Sequence, residues 1–133
     1  AHMVKLQINV CSCPTSFVQK AGIEALRGPQ DCVFQMVREY DKRRKAIVVG
    51  LNAIRGMSCK MPGGAFYVFP NVKRLGLKSK DLMTLLLNKA RVATLHGDAF
   101  GHHGEGYLRL SYATSLENIK EGLSRIKATV ETL

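Results

Sequence analysis

The stretch Tyr107-Leu108-Arg109-Leu110-Ser111-Tyr112 alternates apolar and polar residues and decides the fold. Successive side chains of a strand point to opposite faces, so the pattern predicts a strand with Leu108, Leu110 and Tyr112 on one face. Arg109 then lies on the opposite, polar face, with Tyr107 and Ser111 as its neighbours. An arginine held on a strand presents paired donors in the geometry that a carboxylate accepts. The spacing alone equally allows a surface arginine on a solvated sheet face.

Glycines at positions 97, 101, 104 and 106 mark a loop before this strand. A phosphate-binding loop follows a strand and opens a helix, whereas this loop leads into a strand, which argues against nucleotide binding. The loop also contains polar residues that could gather round a metal, but no two of its histidines have the i, i+4 spacing of a helical metal site. These residues are His96, Asp98, His102 and His103. We predict an ordinary polar loop without a metal.

Two helices are predicted before this region. The first begins at Ser16 with an S-x-x-Q capping box and ends at Gly28-Pro29. The second is long, with Pro29 at its start and apolar residues at helical spacing as far as Ile54. Gly56 is placed to end it as a left-handed cap.

Shorter elements follow. Residues 65–69 form an aromatic and β-branched run after a turn, which predicts a buried strand, and residues 92–95 predict another short strand. Ser79 is placed to cap a helix between them, and the capping box Thr114–Glu117 begins a terminal amphipathic helix. The whole pattern predicts an α/β fold in which helices cover a small mixed or antiparallel sheet.

Twenty Lys and Arg residues against ten Asp and Glu give a net charge of +10. The densest run, Lys42-Arg43-Arg44-Lys45, could attract nucleic acid, but it lies within an amphipathic helix. No aromatic RNA-binding platform or zinc-finger spacing accompanies it. We therefore interpret the run as a solvated helical face and do not expect nucleic-acid binding.

The four cysteines are too scattered to complete a zinc site, so we interpret them as reduced thiols. No leader peptide and no apolar stretch of bilayer length is recognisable, which predicts a soluble and cytoplasmic domain without a membrane partner. Residues 1–3 resemble the remnant of an expression tag, which indicates a piece cut from a longer protein.

Four motifs in order resemble those of class I/II, fold-type I aminotransferases that use pyridoxal phosphate. Residues 62–70, PGGAFYVFP, are similar to the family's P-x-G-A-F-Y-x-F-P segment. Residues 98–113 resemble its A-F-G element followed by G-x-G-Y-x-R-L-S-Y-A. Residues 16–26 are similar to its S-x-x-Q-x-A-x-x-x-A-L helix, and residues 40–44 to its Y-x-x-R-R pattern. The resemblance covers nearly the whole chain after residue 3.

The resemblance implies the C-terminal small domain of such an enzyme, preceded by a long interdomain helix. We expect residues 4–28 to be a helical segment from the large-domain side and residues 29–133 to form the small domain. The implied partners are amino-acid and 2-oxo-acid substrates, the large domain, and a second copy in a homodimer of the intact enzyme.

By the same resemblance, Arg109 binds the α-carboxylate of the substrate, and Gly64 and Ala65 lie at the substrate mouth as secondary candidates. His96 stands where the family usually has proline, which leaves the loop geometry open. The family's Schiff-base lysine, pyridine-nitrogen aspartate and phosphate-binding arginine precede the matched segment. We therefore expect no catalytic, cofactor-binding or metal-binding residue in this chain, no bound pyridoxal phosphate, and no activity alone.

Two alternatives stay open. A pyridoxal-phosphate lyase or synthase shares the scaffold and the same C-terminal motifs. A stand-alone basic interaction module would instead use the positive charge and keep the motifs only as a packed scaffold.

Overall fold

The computed structural model describes all 133 residues and contains five α-helices and three short strands. It divides into two units, Ala1–Phe34 and Gln35–Leu133. No helix combines the length and apolarity that crossing a membrane requires. The elements in chain order are α1 (His2–Cys11), α2 (Ser16–Arg27), α3 (Asp31–Asn52), β1 (Tyr67–Val68), α4 (Ser79–Leu85), β2 (Leu95–His96), β3 (Leu108–Ser111) and α5 (Leu116–Val130).

The first unit holds α1, α2 and the start of α3, and neither α1 nor α2 has a buried residue. Helix α2 confirms the predicted helix before the Gly28-Pro29 break. The predicted capping box is wrong, since Thr15 precedes the helix and no side chain caps it. The Gln19 amide instead donates to the carbonyl oxygen of Pro14 at 2.9 Å. Helix α1 was not resolved as a separate element from the sequence.

Helix α3 confirms the long second helix but is shorter than predicted. It begins at Asp31 rather than at Pro29 and ends at Asn52 rather than beyond Ile54. The Asn52 side chain explains the end, because it both donates to and accepts from the Cys59 backbone, at 3.0 and 2.8 Å. These bonds draw the chain into a turn, in which Gly56 adopts the predicted left-handed conformation with φ of 81°.

The sheet has the order β1-β3-β2, and both pairings are antiparallel. Strand β3 is central, and its alternation is confirmed because Leu108, Leu110 and Tyr112 are all buried. The outer strands are shorter than predicted. Of residues 65–69, only Tyr67–Val68 form a strand. The strand predicted at residues 92–95 lies instead at Leu95–His96.

The prediction that residues 65–69 are buried is wrong for Phe66 and Phe69, which are 41% and 40% exposed. Ala65 has a φ of 60°, a left-handed conformation that a non-glycine residue rarely adopts, so a turn lies where the strand was expected to begin. Beyond β1, Asn71 forms isolated antiparallel bridges with Tyr107, just before β3, and with Ser58.

Helices α3, α4 and α5 and the sheet share one core in the second unit. A π-helical turn at Leu86–Ala90 extends α4, and α5 confirms the terminal helix, capped by Ser115 rather than by Thr114. Burial of these side chains supplies most of the favourable free energy of folding. The most deeply buried include Leu51, Val68, Val72, Leu82, Leu86, Leu108, Tyr112 and Ile126.

The basic run of α3 is only partly a solvated face, which corrects the prediction. The side chains of Arg43 and Arg44 are 22% and 27% exposed. Arg43 pairs with Glu39 at 3.0 Å, whereas Arg44 pairs with Asp41 and donates to the carbonyl oxygen of Pro62 at 2.7 Å. The run therefore ties α3 to the turn before β1. All four cysteines are free thiols, as predicted.

Candidate functional site

Arg109 lies in the middle of β3, on the face of the sheet opposite the core. Antiparallel pairing places it beside Leu95 of β2. Its guanidinium carbon is 4.4 Å from the ring centroid of Tyr67 and 4.5 Å from that of Phe100. Both distances are typical of cation–π contacts, so two aromatic rings flank the charged group.

The guanidinium of Arg109 has no acidic partner. None of the seven ion pairs in the chain includes it. Rings cover the faces of a guanidinium in such contacts and leave its N–H edge available for hydrogen bonds. An unpaired guanidinium of this kind is suited to two parallel hydrogen bonds with a carboxylate.

More aromatic rings surround this group. Phe69 stacks on Tyr107 with ring centroids 5.3 Å apart and meets Phe100 edge-on at 6.2 Å. The Lys73 ammonium lies 5.4 Å from the Tyr107 ring. The exposed sheet face around Arg109 is therefore apolar and cationic, which favours anionic ligands that also carry apolar groups.

The loop at residues 97–106 carries Phe100 to Arg109. Its ends meet through Gly97, whose N–H donates to the carbonyl oxygen of Tyr107 at 2.8 Å. A side chain at Gly97 would collide with the carbonyl oxygen of Gly104, and one at Gly104 with that of Gly97. Gly97 and Gly104 are thus needed for close backbone approach within this loop.

Ser79 connects this loop to α4, which corrects its predicted role. It is the first residue of α4 and is fully buried, whereas Lys78 occupies the cap position. The N–H and hydroxyl of Ser79 donate to Glu105 Oε1 at 2.9 and 3.3 Å. The Gly106 N–H donates to Ser79 Oγ at 2.7 Å. Glu105 therefore takes the capping role from a distant part of the chain.

Substituting Ser79→Ala is expected to lower the free energy of unfolding by about 1–3 kcal/mol, because the Gly106 N–H is left buried without an acceptor. Urea unfolding followed by circular dichroism measures the change. Ser124→Ala, on the exposed side of α5, is the matched control and should leave stability within about 0.5 kcal/mol. Equal effects of the two variants would contradict the assigned role of Ser79.

His96 and Asp98 form a pair at the start of the loop, with Nδ1 and Oδ1 2.5 Å apart. The hydrogen bond from His96 lowers the pKa of the Asp98 carboxyl below its ordinary value of 3.8. No group of three or more His, Cys, Asp and Glu residues lies close enough together to hold a metal ion.

Because the Asp98 pKa is lowered on folding, the pair contributes stability above the ordinary carboxyl pKa and loses it as pH falls through the folded value. We expect the Asp98 carboxyl to titrate below 3.8 by NMR. The His96→Leu substitution should raise that midpoint, whereas His102→Leu in the same loop should not. An unchanged midpoint in His96→Leu would show that another group sets this pKa.

The secondary candidates Gly64 and Ala65 lie in an exposed bend before β1. The hydroxyl of Tyr112 donates to the carbonyl oxygen of Ala65 at 2.8 Å, and burial raises the pKa of Tyr112. A side chain added at Gly64 would meet no atom of the chain within 4 Å. The bend lies before the residue that pairs with Ser111, so Gly64 is not opposite Arg109.

Tyr67 and Phe100, which flank Arg109, were not identified as site residues from the sequence. Tyr67 could have been placed near it by aligning β1 antiparallel to β3, where Tyr67 pairs with Ser111. No periodic signal marks Phe100, because it lies in a short 3-10 turn.

Similar proteins match this chain over one part of a larger molecule. An aspartate aminotransferase from Pyrococcus horikoshii is 47% identical over 132 residues, which are 98% of this chain and 34% of that protein. An aromatic-amino-acid aminotransferase from Thermococcus litoralis is 40% identical and matches 97% of the chain and 33% of its own length. The chain thus spans about a third of the length of these relatives.

The solved structures agree with the sequence relatives. The crystal structure of an aromatic aminotransferase from Pyrococcus horikoshii superposes with a TM-score of 0.90 at 42% identity, over 98% of this chain and 35% of that one. In sequence and in structure, the chain matches fold-type I aminotransferases over about a third of their length. It corresponds to the C-terminal, small-domain portion of these enzymes, as the motifs predicted. No family model matches the chain.

Proposed function

We infer that this aminotransferase domain recognises the substrate carboxylate for an enzyme that transfers amino groups between amino acids and 2-oxo acids. The observation that carries the inference is the unpaired guanidinium of Arg109 between Tyr67 and Phe100. An amino acid and the 2-oxo acid derived from it share the α-carboxylate, so one arginine serves both half-reactions. Holding that group fixed orients the reacting carbon.

The chemistry of amino transfer requires pyridoxal phosphate, which supplies an electron sink when it is bound. A site for it combines a lysine amine, a carboxylate for the pyridine nitrogen and a phosphate cradle. The residues of this chain do not fit that requirement, because every lysine is exposed. We place the Schiff-base lysine in the large domain, outside this chain.

The same proposal includes a large domain that completes the active site, a homodimer of the intact enzyme and a cytoplasmic location. The basic interaction module has less support, because the cations of the run in α3 pair with Glu39 and Asp41 of the same helix. Such pairs leave less free charge for phosphates.

Borohydride reduction in the presence of pyridoxal phosphate tests where the cofactor lysine lies. The purified chain and the longer enzyme that carries it are treated in parallel and measured by intact mass and peptide mapping. We expect stoichiometric label on one lysine of the longer enzyme, outside residues 1–133. Stoichiometric label on one specific lysine of this chain would overturn the assignment.

A further inference from the structure

The bend at residues 62–66, just before β1, has little packing of its own. All of its residues except Pro62 are exposed. A side chain added at Gly63 or Gly64 would meet no atom of the chain within 4 Å. The strand that the bend enters, β1, pairs with β3 through only two pairs of residues. Contacts from other elements must therefore fix where this bend lies.

Three hydrogen bonds attach the backbone of the bend to α3 and to the residue that follows β3. Arg44 of α3 donates from Nη1 to the carbonyl oxygen of Pro62 at 2.7 Å. The hydroxyl of Tyr112 donates to the carbonyl oxygen of Ala65 at 2.8 Å, and its N–H donates to that of Phe66 at 2.9 Å. One arginine and one tyrosine therefore hold opposite ends of the bend.

Both side-chain donors are themselves held in place. The second edge of the Arg44 guanidinium pairs with Asp41 at 2.6 Å. Hydrogen bonds from Lys45 and Arg44 lower the pKa of the Asp41 carboxyl, so it is charged at neutral pH. Tyr112 is only 1% exposed and meets the Tyr40 ring edge-on at 6.2 Å. Burial raises the pKa of Tyr112, so its hydroxyl keeps the proton that it donates.

The position of the bend determines the position of Tyr67. Ala65 has a φ of 60°, so the carbonyl oxygen that Tyr112 holds belongs to the residue that turns the chain into β1. Tyr67 follows directly after Phe66, and their rings lie 4.3 Å apart. The Tyr67 ring in turn lies 4.4 Å from the guanidinium carbon of Arg109. A displaced bend would therefore move this ring away from the guanidinium.

We propose that Arg44 and Tyr112 are positioning residues, which act through the bend to keep the Tyr67 ring on the face of the Arg109 guanidinium. A ring on that face holds the plane of the guanidinium and leaves its N–H edge available for a ligand. The placement of the ring stands on the contacts alone. Its consequence for carboxylate affinity rests on the proposed function.

NMR of the 133-residue chain provides two separate measurements. The side-chain Nε–Hε signal of Arg109 in the free chain reports the position of the Tyr67 ring, because the ring current of an aromatic group shifts nearby protons. Titration with propionate then measures carboxylate affinity in the same sample. The first measurement needs no ligand, so it does not depend on the proposed function.

Two pairs of variants separate the bend from the rest of the core. Tyr112→Phe and Arg44→Gln each remove a donor to the bend. Tyr40→Phe and Arg43→Gln make the same changes on α3 at side chains that donate no hydrogen bond to the bend. Ile126→Val destabilises the core from α5 without changing either donor. The amide spectrum shows whether each variant is folded.

We expect Tyr112→Phe and Arg44→Gln each to move the free-chain Arg109 signal and to weaken propionate binding about threefold, and the double variant to weaken it about tenfold. Arg44→Lys keeps a donor for the Pro62 carbonyl oxygen and should restore most of the native signal. The variants at Tyr40, Arg43 and Ile126 should leave the signal and the affinity unchanged.

An unmoved Arg109 signal in both Tyr112→Phe and Arg44→Gln would overturn the positioning role, even if propionate binding fell. An equal movement in Ile126→Val would also overturn it, because the signal would then follow stability and not the bend. Failure of the native chain to bind propionate would contradict the proposed function instead. The positioning role would still be supported in that case if removing either donor moved the free-chain signal.

Discussion

Replacing Arg109 by glutamine is expected to lower kcat/KM at least about 100-fold in the longer aminotransferase that we propose carries this chain as its C-terminal third. Glutamine cannot form the two charge-assisted hydrogen bonds of the guanidinium, and each contributes about 1.5–3 kcal/mol. A 100-fold loss corresponds to about 2.8 kcal/mol, at about 1.4 kcal/mol for each factor of ten. Steady-state kinetics with one amino acid and one 2-oxo acid measure the effect.

The controls separate geometry from charge. Arg109→Lys keeps the positive charge but not the paired donors of the planar guanidinium. Its kcat/KM should therefore fall less, by about tenfold. Arg55→Gln removes a charge from an exposed arginine in the turn after α3 and should leave kcat/KM unchanged. If Arg109→Gln retained native kcat/KM, or if Arg55→Gln lost as much, Arg109 would not be the carboxylate group.

Substituting Gly104→Ala is expected to lower the free energy of unfolding by at least about 2 kcal/mol. The added methyl group would collide with the carbonyl oxygen and carbon of Gly97, which are backbone atoms and cannot move aside without shifting the loop. Because this loop carries Phe100 to Arg109, the variant should also weaken propionate binding. Urea unfolding and NMR titration of the same sample measure both effects.

The matched control for that substitution is Gly122→Ala in α5. A methyl group there meets no atom within 4 Å, and alanine favours a helix interior over glycine. We expect a gain in the free energy of unfolding of about 0.5–1 kcal/mol. A stable Gly104→Ala variant would show that the loop has room that the described geometry lacks.

Local sequence patterns correctly predicted the burial pattern of β3 and the existence of three helices. The alternation of β3 placed Leu108, Leu110 and Tyr112 in the core, and Arg109 on the opposite face, because side-chain direction in a strand has a period of two. The helical spacing of apolar residues predicted α2, α3 and α5 for a similar reason. The ordered motifs then predicted the family, which the comparisons confirmed.

Contacts between distant residues were not predictable in the same way. Ser79 looked like a helix cap, but Glu105 caps α4 from 26 residues away and Ser79 is buried beneath it. Phe100 reaches Arg109 because two glycines let the loop close on itself, which no local pattern encodes. The start of β1 was misplaced because Ala65 adopts a left-handed conformation that turns the backbone. The end of α3 was misplaced because the Asn52 side chain bonds to the Cys59 backbone.

The central claim is that the edge of the Arg109 guanidinium binds a carboxylate. The most direct test is an NMR titration of the 133-residue chain with propionate, following the side-chain Nε–Hε signals of its arginines. We predict a saturable shift at Arg109 and none at Arg125, which already pairs with Glu121 at 2.7 Å. An unshifted Arg109 signal, or shifts of similar size at all arginines, would contradict the account.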